Sequence, residues 1–100
     1  MQHAHTIVRA ATAADSGQLW RLAHVNGTRR LRGTVLVADQ GGAVVAAIEL
    51  KTGAVIAEPS RSHDDDLSLL RRWRYLALRQ GGGGARARAL VRHPALRLAA

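Results

Sequence analysis

Three adjacent aspartates form the densest group of acidic side chains in the sequence, and such a group can hold a metal ion or act as acid and base. Consecutive helical positions point about 100° apart, so Asp64, Asp65 and Asp66 cannot converge on one ion if this segment is helical. Ser62 precedes Asp65 at the spacing of a capping box, and negative charge in a first helical turn complements the helix dipole. We therefore expect a helix start here, with neither a metal site nor catalytic residues.

Two histidines, His24 and His63, lie near the ends of predicted helices, and no base or nucleophile constellation lies close to them in the sequence. The N-terminal Met1-Gln2-His3 could bind Cu(II) or Ni(II) in a square plane through the amine, two amides and the imidazole. A frayed terminus is the competing interpretation. No catalytic residue follows from either pattern.

Arginine is the other abundant functional side chain, and the formal net charge of +8 is unevenly distributed. Residues 1–66 carry seven basic and seven acidic side chains, so all the net charge lies in residues 67–100. Such a segment is typical of nonspecific contact with nucleic acid or an anionic surface, since no base-reading motif accompanies it. A coding bias toward Arg, Ala and Gly is the alternative explanation. The candidate contact residues are Arg71, Arg72, Arg74, Arg79, Arg86, Arg88 and Arg92.

The elements that must position these side chains are organised around residues 34–58. Three β-branched and aliphatic runs, at 35–37, 44–50 and 55–57, are separated by two breaks that contain glycine. This pattern predicts a three-stranded antiparallel meander. Val44 and the even-numbered residues to Leu50 share one predicted face of the middle strand, and Ala43, Val45 and Ala47 share the other. Both faces are apolar, so the sheet must be covered on both sides.

One predicted strand and helix precede the meander. Residues 6–9 form the strand, and Thr12 with Asp15 fits a capping box that starts the helix. Asn26 and Gly27 end the helix, because both tolerate the left-handed conformation of a helix C-terminus. The basic loop that follows, residues 28–33, is either an anion contact or a solvated connection.

A second helix follows the meander, from Ser62 to about residue 79, with Trp73 on the apolar stripe that faces the sheet. Together the elements predict an α+β fold, a mostly antiparallel four-stranded sheet in the order of the chain with one helix on each face. We expect this domain to span residues 1–80. A Gly-rich linker, 81–84, and a basic, mobile tail, 85–100, are expected after it.

Composition limits the remaining possibilities. The chain has no cysteine, so we expect neither disulfides nor a thiolate zinc site. No apolar run approaches the ~20 residues of a membrane span, and no secretion signal is recognised, which makes a cytoplasmic location the default expectation. A core without Phe is thin, and the last strand of the meander has no following strand to pair with. Both features predict a homo-oligomer or a partner protein.

Two short segments point to a known family. Ile56-Ala57-Glu58-Pro59 ends the meander, and Leu69-Leu70-Arg71 lies in the helix after it. With the order strand, helix, meander, proline and capped helix, residues 6–79 resemble the first half of the GNAT superfamily of N-acetyltransferases. The resemblance implies a pyrophosphate loop for acetyl-CoA between the two segments, in which glycines let backbone N–H groups approach the phosphates.

The sequence departs from the family pattern at that loop. The corresponding positions are Ser62, His63, Asp64, Asp65, Asp66 and Leu67, with no glycine and with three carboxylates where a polyanion would bind. The string Arg-x-x-Gly-x-Gly does occur at residues 79–84, but it follows a predicted helix rather than a strand and therefore indicates a linker.

The resemblance thus implies a small non-catalytic GNAT-like interaction or regulatory module, with no cofactor expected. Two alternatives stay open. One is a minimal acyl-CoA-dependent N-acetyltransferase that uses acetyl-CoA and is completed by a second subunit. The other is a nonspecific nucleic-acid or anionic-surface binder that acts through the Arg-rich C-terminal third.

Overall fold

A computed structural model describes residues 6–59, 64–81 and 96–97 of the chain. This part of the chain has the predicted α+β class, with strands and helices close to the expected bounds. Its elements in chain order are β1 (Thr6–Ala10), a 3-10 turn (Ala13–Asp15), α1 (Ser16–Val25), β2 (Val35–Gln40), β3 (Ala43–Glu49), β4 (Val55–Ala57), α2 (Asp64–Gly81) and β5 (Leu96–Arg97).

The strands form one antiparallel sheet in the order β4-β3-β2-β1-β5. Pairing of the first four strands in chain order confirms the predicted sheet, with β4 at one edge. β5 is an additional strand beside β1, in the segment predicted to be a tail, and its Arg97 pairs with Ile7. Residues 82–95 and 98–100 of the predicted linker and tail lie outside the described residues, whereas Gly81 ends α2.

Each face of the sheet packs against one helix, because β-branched and aliphatic residues alternate between the two faces of β2. The core under α2 comprises Val8, Leu36, Ala38, Val45, Ala46, Ile48, Leu50, Leu70 and Ala77. The core under α1 comprises Leu22, Ala23, Val35, Val37, Val44, Ala47 and Ile56. Burial on both sides confirms the prediction of one helix on each face.

A β-bulge in β3 overturns one detail of the predicted alternation. Ala38 pairs with Ala46 but the next residue of β2, Asp39, pairs with Val44, which leaves Val45 without a partner in β2. An extra residue of this kind shifts the alternation of the strand by one position. Val44 therefore packs under α1, and Val45 joins Ala46 under α2, contrary to the faces predicted for both.

The ends of α1 follow the predicted signals. The Thr12 backbone N–H donates to the Asp15 carboxylate at 2.7 Å, as a capping box requires, although the first turn is 3-10 rather than α. At the other end Gly27 has φ of 66°, the left-handed conformation expected there. The N–H groups of Gly27 and Thr28 donate back to the His24 and Ala23 carbonyls, each at 3.0 Å, and form a Schellman motif.

The helix α2 begins with the predicted acidic turn at Asp64, whereas Ser62, its predicted cap, lies outside the described residues. Trp73 is half-buried and packs against the core under α2, as predicted. Its buried Nε1 has no hydrogen-bond partner in the part of the chain that the structure describes.

Candidate functional site

The loop that the GNAT resemblance implies is only partly described. Ser62 and His63 lie outside the described residues, and Asp64 and Asp65 are exposed in the first turn of α2. Asp66 is buried, and its carboxylate accepts hydrogen bonds from the Gln40 side-chain amide at 3.2 and 3.3 Å. The buried Asp66 carboxylate and the exposed Asp64 and Asp65 carboxylates therefore lie in different environments.

Four side chains on the outer side of α2 form what we call the basic face: Arg71, Arg72, Tyr75 and Arg79, all exposed. The Arg79 guanidinium carbon lies 5.7 Å from the centroid of the Tyr75 ring, and Arg79 Nη1 donates to the Tyr75 hydroxyl at 3.0 Å. In the described part of the chain, the side chains of Arg71 and Arg72 have neither an ion pair nor a hydrogen bond. Their charge is therefore not neutralised there.

Arg74 points the other way from its neighbours. Its Nε donates to the Leu50 carbonyl at 2.7 Å, and its Nη2 donates to the Lys51 carbonyl at 3.3 Å. The guanidinium lies so close to Gly53 that a Cβ there would be 3.3 Å from it. Arg74 thus fastens α2 to the β3–β4 turn, while the other predicted contacts, Arg86, Arg88 and Arg92, lie outside the described residues.

The structure adds a site that sequence reasoning missed, built around Glu49 at the end of β3. Glu49 is only 3% exposed, and its carboxylate accepts from Arg29 Nη1 and Nη2 at 3.2 and 3.3 Å. The Thr52 hydroxyl and the Arg32 backbone N–H each donate to it at 2.6 Å. These donors, the Arg29 guanidinium foremost, lower the pKa of Glu49 from its ordinary 4.5 to about 2.

A groove of about 450 Å³ opens beside this carboxylate. Its walls are the basic loop 28–33 and the β3–β4 turn. We call it the Glu49 groove, and its lining residues are Arg29, Arg32, Gly33, Glu49, Lys51 and Thr52. A second concavity of about 240 Å³ borders the same loop on the α1 side, next to Leu19 and Arg30. The basic loop therefore faces open space on both sides.

A third buried carboxylate, Asp15, lies at the start of α1. Arg9 of β1 holds Asp15 with two hydrogen bonds of 2.8 Å, and its Nε donates to Asp39 at 3.1 Å. The paired guanidinium lowers the pKa of the Asp15 carboxyl, and Asp15 in turn raises the pKa of Arg9. The sequence identified Asp15 as a cap but contained no signal for its ion pair.

The arrangement of charges determines which chemistry these residues can perform. Each of the three buried carboxylates, Asp15, Glu49 and Asp66, accepts hydrogen bonds from neighbouring elements of the fold. Among the described residues, no group of three or more His, Cys, Asp or Glu side chains could hold a metal ion. Among the described residues, the basic face and the Glu49 groove both carry cations without a carboxylate partner, so these surfaces are suited to binding anions.

Two further findings bear on the class of protein. None of the helices in residues 6–59 and 64–81 combines the length and the apolar character that crossing a membrane requires. Comparison of the chain with protein-family models, curated proteins and solved structures gives no match.

Proposed function

We propose that this chain is a non-catalytic interaction module on a GNAT-like half-domain, and that it binds the phosphate backbone of nucleic acid through the basic face. The observation that supports this proposal is the grouping of Arg71, Arg72 and Arg79 around Tyr75 on one exposed side of α2. Three arginines and an accessible ring are suited to phosphates and to base stacking.

The dimensions of the basic face suit a duplex backbone. Residues 71 and 79 lie eight positions apart on α2, which is about 12 Å along a helix axis. A DNA duplex presents about seven phosphate charges over the same length, so each arginine can reach a separate phosphate. Phosphate contacts carry no sequence information, and we expect binding without sequence preference.

The acidic start of α2 argues against acyl-CoA transfer. A helix N-terminus attracts phosphate through its free N–H groups, but here Asp64 and Asp65 add exposed negative charge at that position. Repulsion of the cofactor pyrophosphate supports a non-catalytic role. Calorimetry should therefore detect no micromolar affinity for acetyl-CoA, and such affinity would favour the transferase alternative.

The salt dependence of DNA binding tests the basic face directly. With three phosphate contacts, the logarithm of the affinity should fall with the logarithm of salt concentration at a slope of about −2.7. The double variant Arg71→Ala, Arg72→Ala should reduce that slope to about −0.9, measured by fluorescence anisotropy with a labelled duplex. The control is Arg30→Ala, which removes an exposed arginine of the basic loop.

An unchanged slope in the double variant, or no binding at low salt, would contradict the proposal. The predicted contribution of Arg86, Arg88 and Arg92 is measured separately by replacing the three with alanine in the full chain. This is preferable to truncation after Gln80, because truncation would also remove β5 from its pairing with β1. Each tail arginine that contacts a phosphate should add about 0.9 to the magnitude of the slope.

A further inference from the structure

The Glu49 groove has a floor that the fold holds in place. Glu49 is anchored in β3, and its carboxylate binds the Arg32 backbone N–H of one wall and the Thr52 hydroxyl of the other, both at 2.6 Å. The Gly53 N–H donates to the Glu49 carbonyl at 2.9 Å, which fixes the turn itself. Both walls are therefore tied to the same buried residue.

The charges in the groove do not balance. Glu49 carries one negative charge, already shared by four donor groups, two of them on Arg29. Arg32 and Lys51 line the same groove, and in the described part of the chain their side chains have no ion pair or hydrogen bond. Three basic side chains against one carboxylate leave a net charge of +2 in the groove.

We propose that the Glu49 groove binds the dianionic phosphate group of a small phosphorylated molecule. Two uncompensated positive charges match a phosphate dianion, and the fork of a guanidinium matches the oxygen geometry of a phosphate. The volume of about 450 Å³ lies within the range of small-molecule sites and exceeds the size of phosphate alone. The bound molecule therefore has room for a body attached to its phosphate.

The groove differs in kind from the basic face. Arg71 and Arg72 project from a convex helix surface, whereas Arg32 and Lys51 line a concavity whose walls are fixed by Glu49. Preorganised walls lower the ordering cost of binding a small ligand. The proposal is independent of nucleic-acid binding by α2, and either can fail without the other.

Two single substitutions remove the cations and leave the fold in place. Arg32→Ala keeps the backbone N–H that binds Glu49, and Lys51→Ala keeps the carbonyl that accepts from Arg74. Arg32→Lys preserves the charge without the guanidinium fork. Arg30→Ala is the matched control, because it removes an exposed arginine of the same loop that does not line the groove.

Inorganic phosphate and phenyl phosphate are titrated into the full chain at low salt, with affinity measured by calorimetry and binding position by amide chemical shifts of Gly33 and Thr52. We expect Arg32→Ala and Lys51→Ala each to weaken phosphate binding about tenfold. Arg32→Lys should weaken it less, and Arg30→Ala should leave it unchanged. Tighter binding of phenyl phosphate than of phosphate would support a phosphorylated molecule as the ligand.

Three results would overturn the proposal. The first is the absence of phosphate binding to the unmodified chain at millimolar concentration. The second is equal binding by the unmodified chain and both alanine variants, and the third is a loss of binding in Arg30→Ala of the same size. Loss of phosphate binding with duplex binding retained in Arg32→Ala would separate this site from the basic face.

Discussion

The buried carboxylate of Glu49 allows a quantitative test of the structure through the variant Glu49→Gln. Glutamine preserves the size of the side chain and one acceptor for the Arg32 N–H. It replaces the second carboxylate oxygen with an NH₂ donor, which faces donors on Arg29 and Thr52. The substitution therefore removes a charge-assisted pair and places donors against each other.

The pKa of Glu49 sets the size of the effect. A fall from 4.5 to about 2 corresponds to at most about 3 kcal/mol of folding free energy at pH 7. The Arg29 side chain is 53% exposed, so water screens its charge. We therefore expect Glu49→Gln to reduce the free energy of unfolding by about 1–2 kcal/mol. For a domain of this size, each kcal/mol of lost stability lowers Tm by about 4–8 °C.

The same pKa predicts how the effect depends on pH. Because the folded-state pKa lies below the unfolded value, the stabilisation is complete above about pH 5 and is lost as the pH falls from 4.5 toward 2. The stability difference between the native chain and Glu49→Gln should shrink over that window. Asp15, whose pKa is also lowered, is present in both proteins, so its contribution cancels in the difference.

Urea unfolding at a series of pH values, followed by circular dichroism, measures that difference. The matched control is Glu58→Gln, since Glu58 pairs with an exposed arginine, Arg21, and its loss should cost less than about 0.5 kcal/mol. A difference for Glu49→Gln that stays constant down to pH 2.5, or one no larger than that of the control at pH 7, would refute the role assigned to the buried carboxylate.

Three further predictions concern other contacts of the fold. Arg9→Ala should lower the free energy of unfolding in urea titrations by about 2–4 kcal/mol, because it leaves the buried Asp15 without its main partner. A loss below ~1 kcal/mol would contradict this prediction. Asn26→Ala should cost about 1–2 kcal/mol, since its side-chain amide donates to the Leu22 and Ala57 carbonyls; an unchanged urea midpoint would oppose that role. Self-association at tens of micromolar stays a prediction from the β4 edge and the thin core. Asn26→Ala should strengthen self-association, because it frees the Ala57 carbonyl at that edge. A monomeric mass in light scattering for both the unmodified chain and Asn26→Ala would count against this prediction.

The parts of the fold that follow from local pattern could be predicted from the sequence. Apolar runs separated by glycine turns specified the meander, and Thr12 with Asp15 and Asn26 with Gly27 specified the ends of α1. These signals depend on residues close together in the chain, so short-range rules are sufficient. The two apolar faces of the sheet then required a helix on each side.

Three features escaped prediction, and two of them depend on contacts between distant segments. The bulge at Val45 has no glycine to mark it, and alternation alone assigned that residue to the wrong face. The ion pair of Glu49 joins residues 20 positions apart, and no local pattern in the sequence marks it. β5 pairs with β1 across almost the whole chain, and a two-residue strand has no detectable period.

The ion pairs also explain why unpaired positive charge remains in the Glu49 groove, although the charges of residues 1–66 formally cancel. Four acids of the sheet and its loops, Asp15, Asp39, Glu49 and Glu58, are occupied by only three arginines. Asp66 accepts from Gln40, while Asp64 and Asp65 lie at the start of α2. Within the described residues this leaves Arg30, Arg32 and Lys51 without a carboxylate, although the sequence up to residue 66 is neutral. The charge count along the sequence located the net positive charge only in the last third of the chain. In the folded chain, positive potential lies in the Glu49 groove as well as on the Arg-rich α2.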